Sequence, residues 1–272
     1  MSTPAVHLSN ISFSANGITI LENISLSLEA GHFIGIVGPN GAGKSTILSI
    51  IAGLIQPDHG HIDLMGQCLK RFNRHRLLKQ IGYLHQLHDH EPHLPLTVRE
   101  VVSMGLPNYG APLWIPLRAE KKVLDALSFL DMQSHIDADF RSLSGGQRQC
   151  VRIARALVRK PEILLLDEPS AAMDSKRQQQ LYALLRELCD REKTTVIMVE
   201  HDIAAITAHV DSVACLNKHI HYHAMKGEQI PEDIWHSMYG DHMHVIAHDH
   251  GCIGCQPVQN EACVDACMDE KS

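Results

Sequence analysis

The sequence predicts an α/β fold in which a mostly parallel sheet is covered by helices on both faces. Short, wholly apolar runs, typical of strands buried on both faces, alternate along the chain with segments of helical apolar spacing. The predicted strands are 32–37, 163–166, 195–199 and 213–216, and the predicted helices are 44–54, 119–132, 145–159 and 175–189. A chain of 272 residues, 44% of them apolar, is long enough to bury such a core.

The first thirty residues predict a separate antiparallel element. Residues 6–28 alternate apolar and polar side chains on either side of Asn16-Gly17, a dipeptide typical of hairpin turns. The alternation indicates a hairpin with one buried face. Residues 89–116 are rich in proline and histidine and predict short helices and turns.

Charge and hydropathy exclude some classes of function. The net charge is −7, and acidic and basic residues are mixed without a basic tract, so we expect no nucleic-acid partner. The start of the chain lacks the pattern of a signal peptide, and no apolar run approaches the roughly eighteen residues that span a bilayer. We therefore expect a cytoplasmic chain whose eight cysteines are core residues or metal ligands rather than disulfides.

A glycine-rich loop between a predicted strand and a predicted helix matches the phosphate-binding pattern in full. Its residues are Gly38, Pro39, Asn40, Gly41, Ala42, Gly43, Lys44 and Ser45, followed by Thr46. Glycines let successive backbone N–H groups point at phosphate oxygens, and the helix N-terminus adds the positive end of its dipole. We predict that Lys44 reaches the β- and γ-phosphates and that the Ser45 hydroxyl ligates magnesium.

The strand predicted at 163–166 supplies a second set of polar groups, because it ends in Asp167 and Glu168. Ligands of open α/β sheets bind at the carboxyl ends of the strands. We therefore predict that Asp167 holds the magnesium shell and that Glu168 orients or deprotonates the attacking water.

A third motif points to a family. Leu143-Ser144-Gly145-Gly146-Gln147 places two glycines after a serine at a helix start, which makes a second anion-binding N-terminus. This motif resembles the signature of ATP-binding cassette (ABC) proteins. Gln86 resembles their Q-loop glutamine, residues 171–174 their D-loop and His201 their switch histidine, all in the family's order. The resemblance covers about residues 5–218.

The resemblance implies a P-loop NTPase cassette over residues 1–218, with an antiparallel β-subdomain and an α-helical subdomain at about 89–140. It implies an ATP sandwich between two copies of the chain, in which Ser144, Gly145, Gly146 and Gln147 complete the partner's site. His201 would contact the γ-phosphate, and Gln86 would ligate magnesium and couple it to an integral membrane permease. We expect a peripheral protein on the cytoplasmic face of the membrane, together with an extracytoplasmic solute-binding protein.

Two positions depart from the family pattern. Ala15 stands where the family has an aromatic residue that stacks on adenine, and Phe13 lies two residues away on the same strand face. The D-loop begins with Ala171 instead of serine. Neither departure removes a catalytic group.

The last 54 residues, 219–272, differ in composition and predict a His/Cys-rich extension. Half of the twenty histidines lie from His201 onward. The candidate zinc ligands are His248, His250, Cys252, Cys255, Cys263 and Cys267. Four thiolates in this spacing suit tetrahedral zinc, or an iron–sulfur cluster; the alternative is a solvated tail that binds nothing. A second histidine cluster, beginning at His85, is interpreted as a solvated loop.

The transported species is less constrained. The segments 95–102 and 200–202 resemble ATPases of zinc, manganese and iron uptake systems, but importers of iron-siderophore and cobalamin complexes share them. The tail favours a free metal, zinc or manganese. The alternatives are an ATPase of iron–sulfur cluster assembly or of translation or DNA repair. The last two carry paired cassettes or a coiled-coil insertion, which this chain lacks.

Overall fold

The structure is a computed structural model that describes residues 3–85, 95–106, 117–200 and 208–226, with the single residues 206, 228, 231, 234 and 238. Two sheets and six helices organise these residues. Within the described ranges no helix has both the length and the apolar character needed to cross a bilayer.

The larger sheet has six strands in the order β10-β9-β3-β8-β7-β6. Its strands are β3 (Phe33–Val37), β6 (Ile81–Leu84), β7 (Ile163–Asp167), β8 (Thr195–Val199), β9 (Ser212–Asn217) and β10 (His219–Met225). All neighbours pair in parallel except the edge strand β10, which runs antiparallel to β9. The predicted α/β class with a mostly parallel sheet is confirmed.

The smaller sheet has four antiparallel strands in the order β2-β1-β4-β5. These are β1 (Val6–Ala15), β2 (Ile18–Leu28), β4 (His59–Leu64) and β5 (Gln67–Cys68). Asn16 and Gly17 form the turn between β1 and β2 with φ angles of 51° and 77°, the left-handed values that a tight hairpin requires. The predicted hairpin is confirmed.

The helices are α1 (Lys44–Ile51), α2 (Arg74–Leu78), α3 (Val98–Ser103), α4 (Leu117–Ser128), α5 (Gly145–Leu157) and α6 (Ser175–Glu187). Short 3₁₀ turns lie at Gln133–His135 and Phe140–Ser142, and a π-helical turn, Leu188–Glu192, extends α6. Much of the segment 89–116 lies outside the described residues.

Two apolar cores lie on opposite faces of the larger sheet, because successive side chains of a strand point to opposite sides. On β7, Leu164 and Leu166 join the core that packs against α3 to α6. Ile163 and Leu165 join the core shared with α1 and the antiparallel sheet. Each fully buried aliphatic side chain of this kind stabilises the fold by about 1.5–3 kcal/mol.

The sheet continues past the boundary placed at residue 218. Lys218 alone separates β9 from β10, with φ 60°, and residues 219–225 form the edge strand. Ala224 is fully buried in the core on the helical side. The sequence misses this strand because its alternating histidines lack the apolar run that indicates a buried strand.

An ion-paired aspartate fixes the start of the central strand β3. Asp211 Oδ2 accepts hydrogen bonds from the Phe33 N–H at 2.9 Å and from the Arg186 guanidinium at 2.6 Å. Burial acts to raise the pKa of Asp211, but these hydrogen bonds together hold it below its ordinary value. The carboxylate thus joins β3, β9 and α6.

We expect Asp211→Asn to lower the free energy of unfolding at pH 7 by about 2 kcal/mol. Because the folded-state pKa is depressed, this stabilisation is present above the unfolded pKa of about 3.9 and is lost as the pH falls through the folded value. Urea unfolding checks this: the difference in free energy of unfolding between wild type and Asp211→Asn should be smaller below pH 4 than at pH 7. Asp190→Asn, which removes an exposed partner of Arg186, is the control and should cost less than about 0.5 kcal/mol.

Candidate active site

The phosphate loop, residues 38–45, joins β3 to α1 as predicted. Gly41 and Gly43 have φ angles of 78° and 93°, a region that glycine enters at little cost. The Ala42 N–H donates to the Pro39 carbonyl at 3.2 Å, and Gly43 precedes the first helical residue, Lys44. The N–H groups of the first turn of α1, which have no partner within the helix, therefore lie directly after the curled loop in the sequence.

The end of β9 holds this loop in place. A Cβ atom at Gly38 would lie 2.0 Å from the Leu216 carbonyl oxygen, so no larger residue fits there. The Lys218 N–H donates to the Ala42 carbonyl at 3.1 Å, and the Lys218 carbonyl accepts from the Glu22 N–H at 2.9 Å. Backbone contacts thus connect the loop to β9 and β2.

Lys44 lies over the loop and is only 6% exposed. Its ammonium donates to the carbonyls of Gly38 and Pro39, at 2.8 and 2.9 Å. Burial lowers the pKa of Lys44, and the nearby carboxylates of Glu168 and Asp167 partly offset that effect. The cation and both predicted carboxylates therefore occupy one site.

Asp167, the last residue of β7, is 1% exposed. Neither carboxylate oxygen makes a hydrogen bond within the described part of the chain. Burial raises the pKa of Asp167, and the nearby Ser45 hydroxyl lowers it. A buried carboxylate with both oxygens unsatisfied, beside a hydroxyl, is the hard oxygen donor set that magnesium prefers. The residues present fit this ion.

Glu168 has an unusual backbone. Its φ angle is 49°, in the left-handed region that costs a glutamate about 1 kcal/mol or more. The Glu168 N–H donates to the Val199 carbonyl at 3.1 Å, and its side chain is half-buried. The surrounding structure thus holds this carboxylate just beyond Asp167 in a conformation that it would not adopt alone.

Two polar groups beside these carboxylates were not identified from the sequence. Glu200, which follows β8, is 5% exposed and accepts from the Ser170 N–H at 3.3 Å. The signal was available, since an acid after an apolar strand is the pattern that indicated Asp167. Tyr83 lies 3.2 Å from the Ser49 hydroxyl, and burial raises its pKa to about 12.

The structure changes the interpretation of His85. Its ring lies 5.6 Å from that of Tyr83 in an edge-on arrangement, and its proximity lowers the pKa of Asp167. His85 therefore borders the carboxylate site and not simply a solvated loop. The following residue, Gln86, lies outside the described residues, as does His201.

The signature segment, residues 143–147, begins α5 with a capping box. The Ser144 N–H donates to Gln147 Oε1 at 2.9 Å, and the Gln147 N–H donates to Ser144 Oγ at 3.3 Å. A Cβ atom at Gly146 would lie 3.3 Å from the Ala172 carbonyl oxygen and 3.1 Å from the Arg177 guanidinium. The D-loop thus packs against the signature segment of the same chain.

The predicted zinc ligands all lie outside the described residues. Within the described ranges no group of three or more His, Cys, Asp and Glu side chains is arranged to hold a metal ion. The histidines of β10 do not converge: His219 binds Glu22 and His221 Nε2 lies 3.3 Å from the Asn217 carbonyl oxygen. The pairing register of β10 with β9 also shifts between Ile220 and Tyr222. Burial raises the pKa of the core thiol Cys215 to about 12.

Phe13 contributes to the core shared by α1 and the antiparallel sheet and is half-buried there. Ala15, at the usual adenine-stacking position, pairs with Ile18, whose side chain is 66% exposed. The aromatic ring of Phe13 is therefore partly engaged in packing.

A phosphate loop between strand and helix, with a lysine and buried carboxylates at the same sheet edge, defines a P-loop nucleoside triphosphatase. A model of the ABC transporter family matches residues 21–171. A probable metal transport system ATP-binding protein of Thermotoga maritima is 35% identical over 229 residues, 84% of this chain and 88% of that protein.

Two further comparisons agree. The zinc import ATP-binding protein ZnuC of Pseudomonas fluorescens is 32% identical over 272 residues, 96% of each chain. The solved dimeric cassette MJ0796, in a post-hydrolysis state with ADP and Pi, has a TM-score of 0.70 at 30% identity, covering 81% of this chain and 98% of that one. The chain belongs to the ABC transporter family and is an ABC ATPase. The resemblance drawn from the motifs is confirmed.

We expect Gly38→Ala to lower the free energy of unfolding by more than about 2 kcal/mol, because the new methyl group meets a backbone oxygen that cannot move aside. Gly41→Ala is the matched control: its φ of 78° costs about 1 kcal/mol, but nothing lies within 4 Å of the added atom. Urea unfolding of both variants without nucleotide checks the difference. Equal losses would contradict the close approach of the loop to β9.

Proposed function

We propose that this chain is the ATP-hydrolysing subunit of a transporter that imports zinc or a related metal ion. The observation that carries the ATPase site is the buried carboxylate of Asp167, which has no hydrogen-bond partner among the described residues and lies beside Ser45 and Lys44. Ser45, Asp167 and Gln86 would hold magnesium, which neutralises charge on the β- and γ-phosphates when bound.

The loop residues Gly38 to Thr46 bind the triphosphate through backbone N–H groups, and Lys44 adds a cation. Glu168 is the general base or water-orienting residue, since it lies next to the magnesium carboxylate in a constrained backbone position. His201 would contact the γ-phosphate. These two residues and Gln86 form the catalytic set.

The second half of each site comes from a second copy of the chain. The capped α5 N-terminus of the signature segment presents N–H groups that an anion can bind. Ser144, Gly145, Gly146 and Gln147 would complete the nucleotide site of the partner subunit. The dimeric cassette MJ0796 supports this arrangement by likeness of sequence and fold.

Zinc is the substrate that the relatives favour, and manganese is the second candidate. ZnuC of Pseudomonas fluorescens is a zinc import ATP-binding protein, and this chain matches 96% of its length. The cassette would act at the cytoplasmic face of a membrane on integral permease subunits, which the helical subdomain of about 89–140 contacts. A solute-binding protein outside the membrane would deliver the metal.

The extension 219–272 is proposed as a metal-binding segment appended to the cassette 1–218, although its first residues complete the sheet as β10. Its thiolates and imidazoles would bind zinc and report metal supply to the motor. This proposal is supported by the ligand spacing described above.

We expect Glu168→Gln to retain ATP binding but to lower hydrolysis by about 10²-fold or more, because water activation is lost while phosphate contacts remain. Lys44→Ala should instead weaken ATP binding itself. ATP affinity and phosphate release of the purified full chain check both. Glu162→Gln, at the opposite and exposed end of β7, is the control and should behave as wild type. Near-normal turnover of Glu168→Gln would refute its assignment.

We expect serine substitution of Cys252, Cys255, Cys263 and Cys267 to remove about one bound zinc per chain. Elemental analysis of the full chain and the variant checks this, with Cys68→Ser, a free thiol on β5, as the control. Equal zinc content would refute the tail site, and visible absorption of the wild type would indicate an iron–sulfur cluster instead. ATPase rates across a zinc titration then separate regulation from simple binding.

A further inference from the structure

One side chain outside the family motifs contacts the signature segment. His135 Nε2 lies 3.2 Å from Gln147 Nε2, while Gln147 Oε1 accepts the Ser144 N–H at 2.9 Å. The amide of Gln147 is therefore held at both ends, by the capping box on one side and by the imidazole on the other.

The hydrogen-bonding roles follow from what each atom is able to donate. The Ser144 N–H is a donor only, so the Gln147 oxygen must face it and the Gln147 NH₂ must face His135. His135 Nε2 then has to be the acceptor, which places the ring proton on Nδ1. Nδ1 lies 3.1 Å from the Ser134 hydroxyl, whose oxygen accepts a hydrogen bond from the Nδ1–H group. One directed chain runs from Gln147 through His135 to Ser134.

The backbone around His135 is anchored in the helical part of the molecule. The His135 N–H donates to the Met132 carbonyl at 3.0 Å, and the His135 carbonyl accepts from Ala138 at 2.9 Å. Met132 is 4% exposed in the core on the helical side, and the Ala138 carbonyl accepts from the Val98 N–H at the start of α3. The imidazole thus connects the α3 region to the signature segment.

We propose that His135 is a positioning residue for the signature segment: its imidazole acceptor holds the Gln147 amide so that the capping box stays closed. Without that acceptor the amide is free to rotate, and the Ser144 N–H loses its partner. The N–H groups at the start of α5 then lose the fixed directions in which they bind phosphate. The effect on nucleotide binding rests on the proposed sandwich dimer, whereas the effect on the capping box does not.

The test uses the full chain in the Glu168→Gln background with two substitutions of one residue. His135→Phe keeps a planar ring and removes the acceptor, whereas His135→Gln restores an acceptor oxygen at similar reach. Hydrogen–deuterium exchange of residues 143–149 should be about fivefold faster in His135→Phe, because one capping interaction is lost. In His135→Gln the exchange rate should stay near that of the parent. His59→Phe, an exposed histidine on β4, is the control and should change nothing.

The second readout is ATP-driven dimerisation, measured by sedimentation. His135→Phe should weaken dimerisation about fivefold and leave the ATP affinity of the monomer unchanged. Because Gln147 is also proposed to face the partner's nucleotide, the double variant is read by exchange: adding Gln147→Leu to His135→Phe should make residues 143–149 exchange no faster. Unchanged exchange in His135→Phe, failure of His135→Gln to restore it, or additive effects on exchange with Gln147→Leu would each overturn the proposal. If the parent does not dimerise with ATP, the sandwich dimer fails, and exchange at the capping box still decides the role of His135.

Discussion

Parallel pairing of β9, β3, β8 and β7 is the constraint on which the site depends. The register places Asp167 opposite Val199 and Val37 opposite Cys215, so the carboxyl ends of these strands lie side by side. Asp167 is the last residue of β7, and the phosphate loop, Glu168 and Glu200 follow the strand ends directly. Parallel strands are joined by crossover connections whose helices cover the faces of the sheet. The two apolar cores that bury the sheet therefore also fix the relative positions of the polar groups at its strand ends.

The site retains several unfavourable features that these cores must offset. Asp167 is buried without a hydrogen bond to any described residue, Lys44 is buried with two carbonyl partners, and Glu168 has a left-handed backbone. Each is costly in a protein that binds nothing. Their concentration at one sheet edge is typical of a site organised for a charged ligand and its cation.

Local patterns predicted much of this arrangement. Apolar runs located β3, β7, β8 and β9, and the loop and Asp167 follow such runs directly in sequence. Features that depend on distant pairing were not predicted. The edge strand β10 is polar enough to lack a strand pattern. His85 comes near Asp167 only when β6 pairs with β7, and the contact of His135 with Gln147 joins residues twelve apart across a turn. These contacts need tertiary structure, which no periodicity records.

The backbone hydrogen bond between Lys218 and Ala42 limits which sequence changes the turn between β9 and β10 tolerates. It is made by main-chain atoms at the single residue between β9 and β10, and the same residue also receives the Glu22 N–H. Side-chain substitutions at this position therefore keep these hydrogen bonds if the new residue accepts the φ of 60°, which excludes proline, because it also lacks the N–H group, and disfavours β-branched residues. Insertions and deletions in the turn are different, because they shift the backbone that positions the phosphate loop. The length of the turn between β9 and β10 should therefore vary little, and residue 218 should be one that tolerates a left-handed backbone.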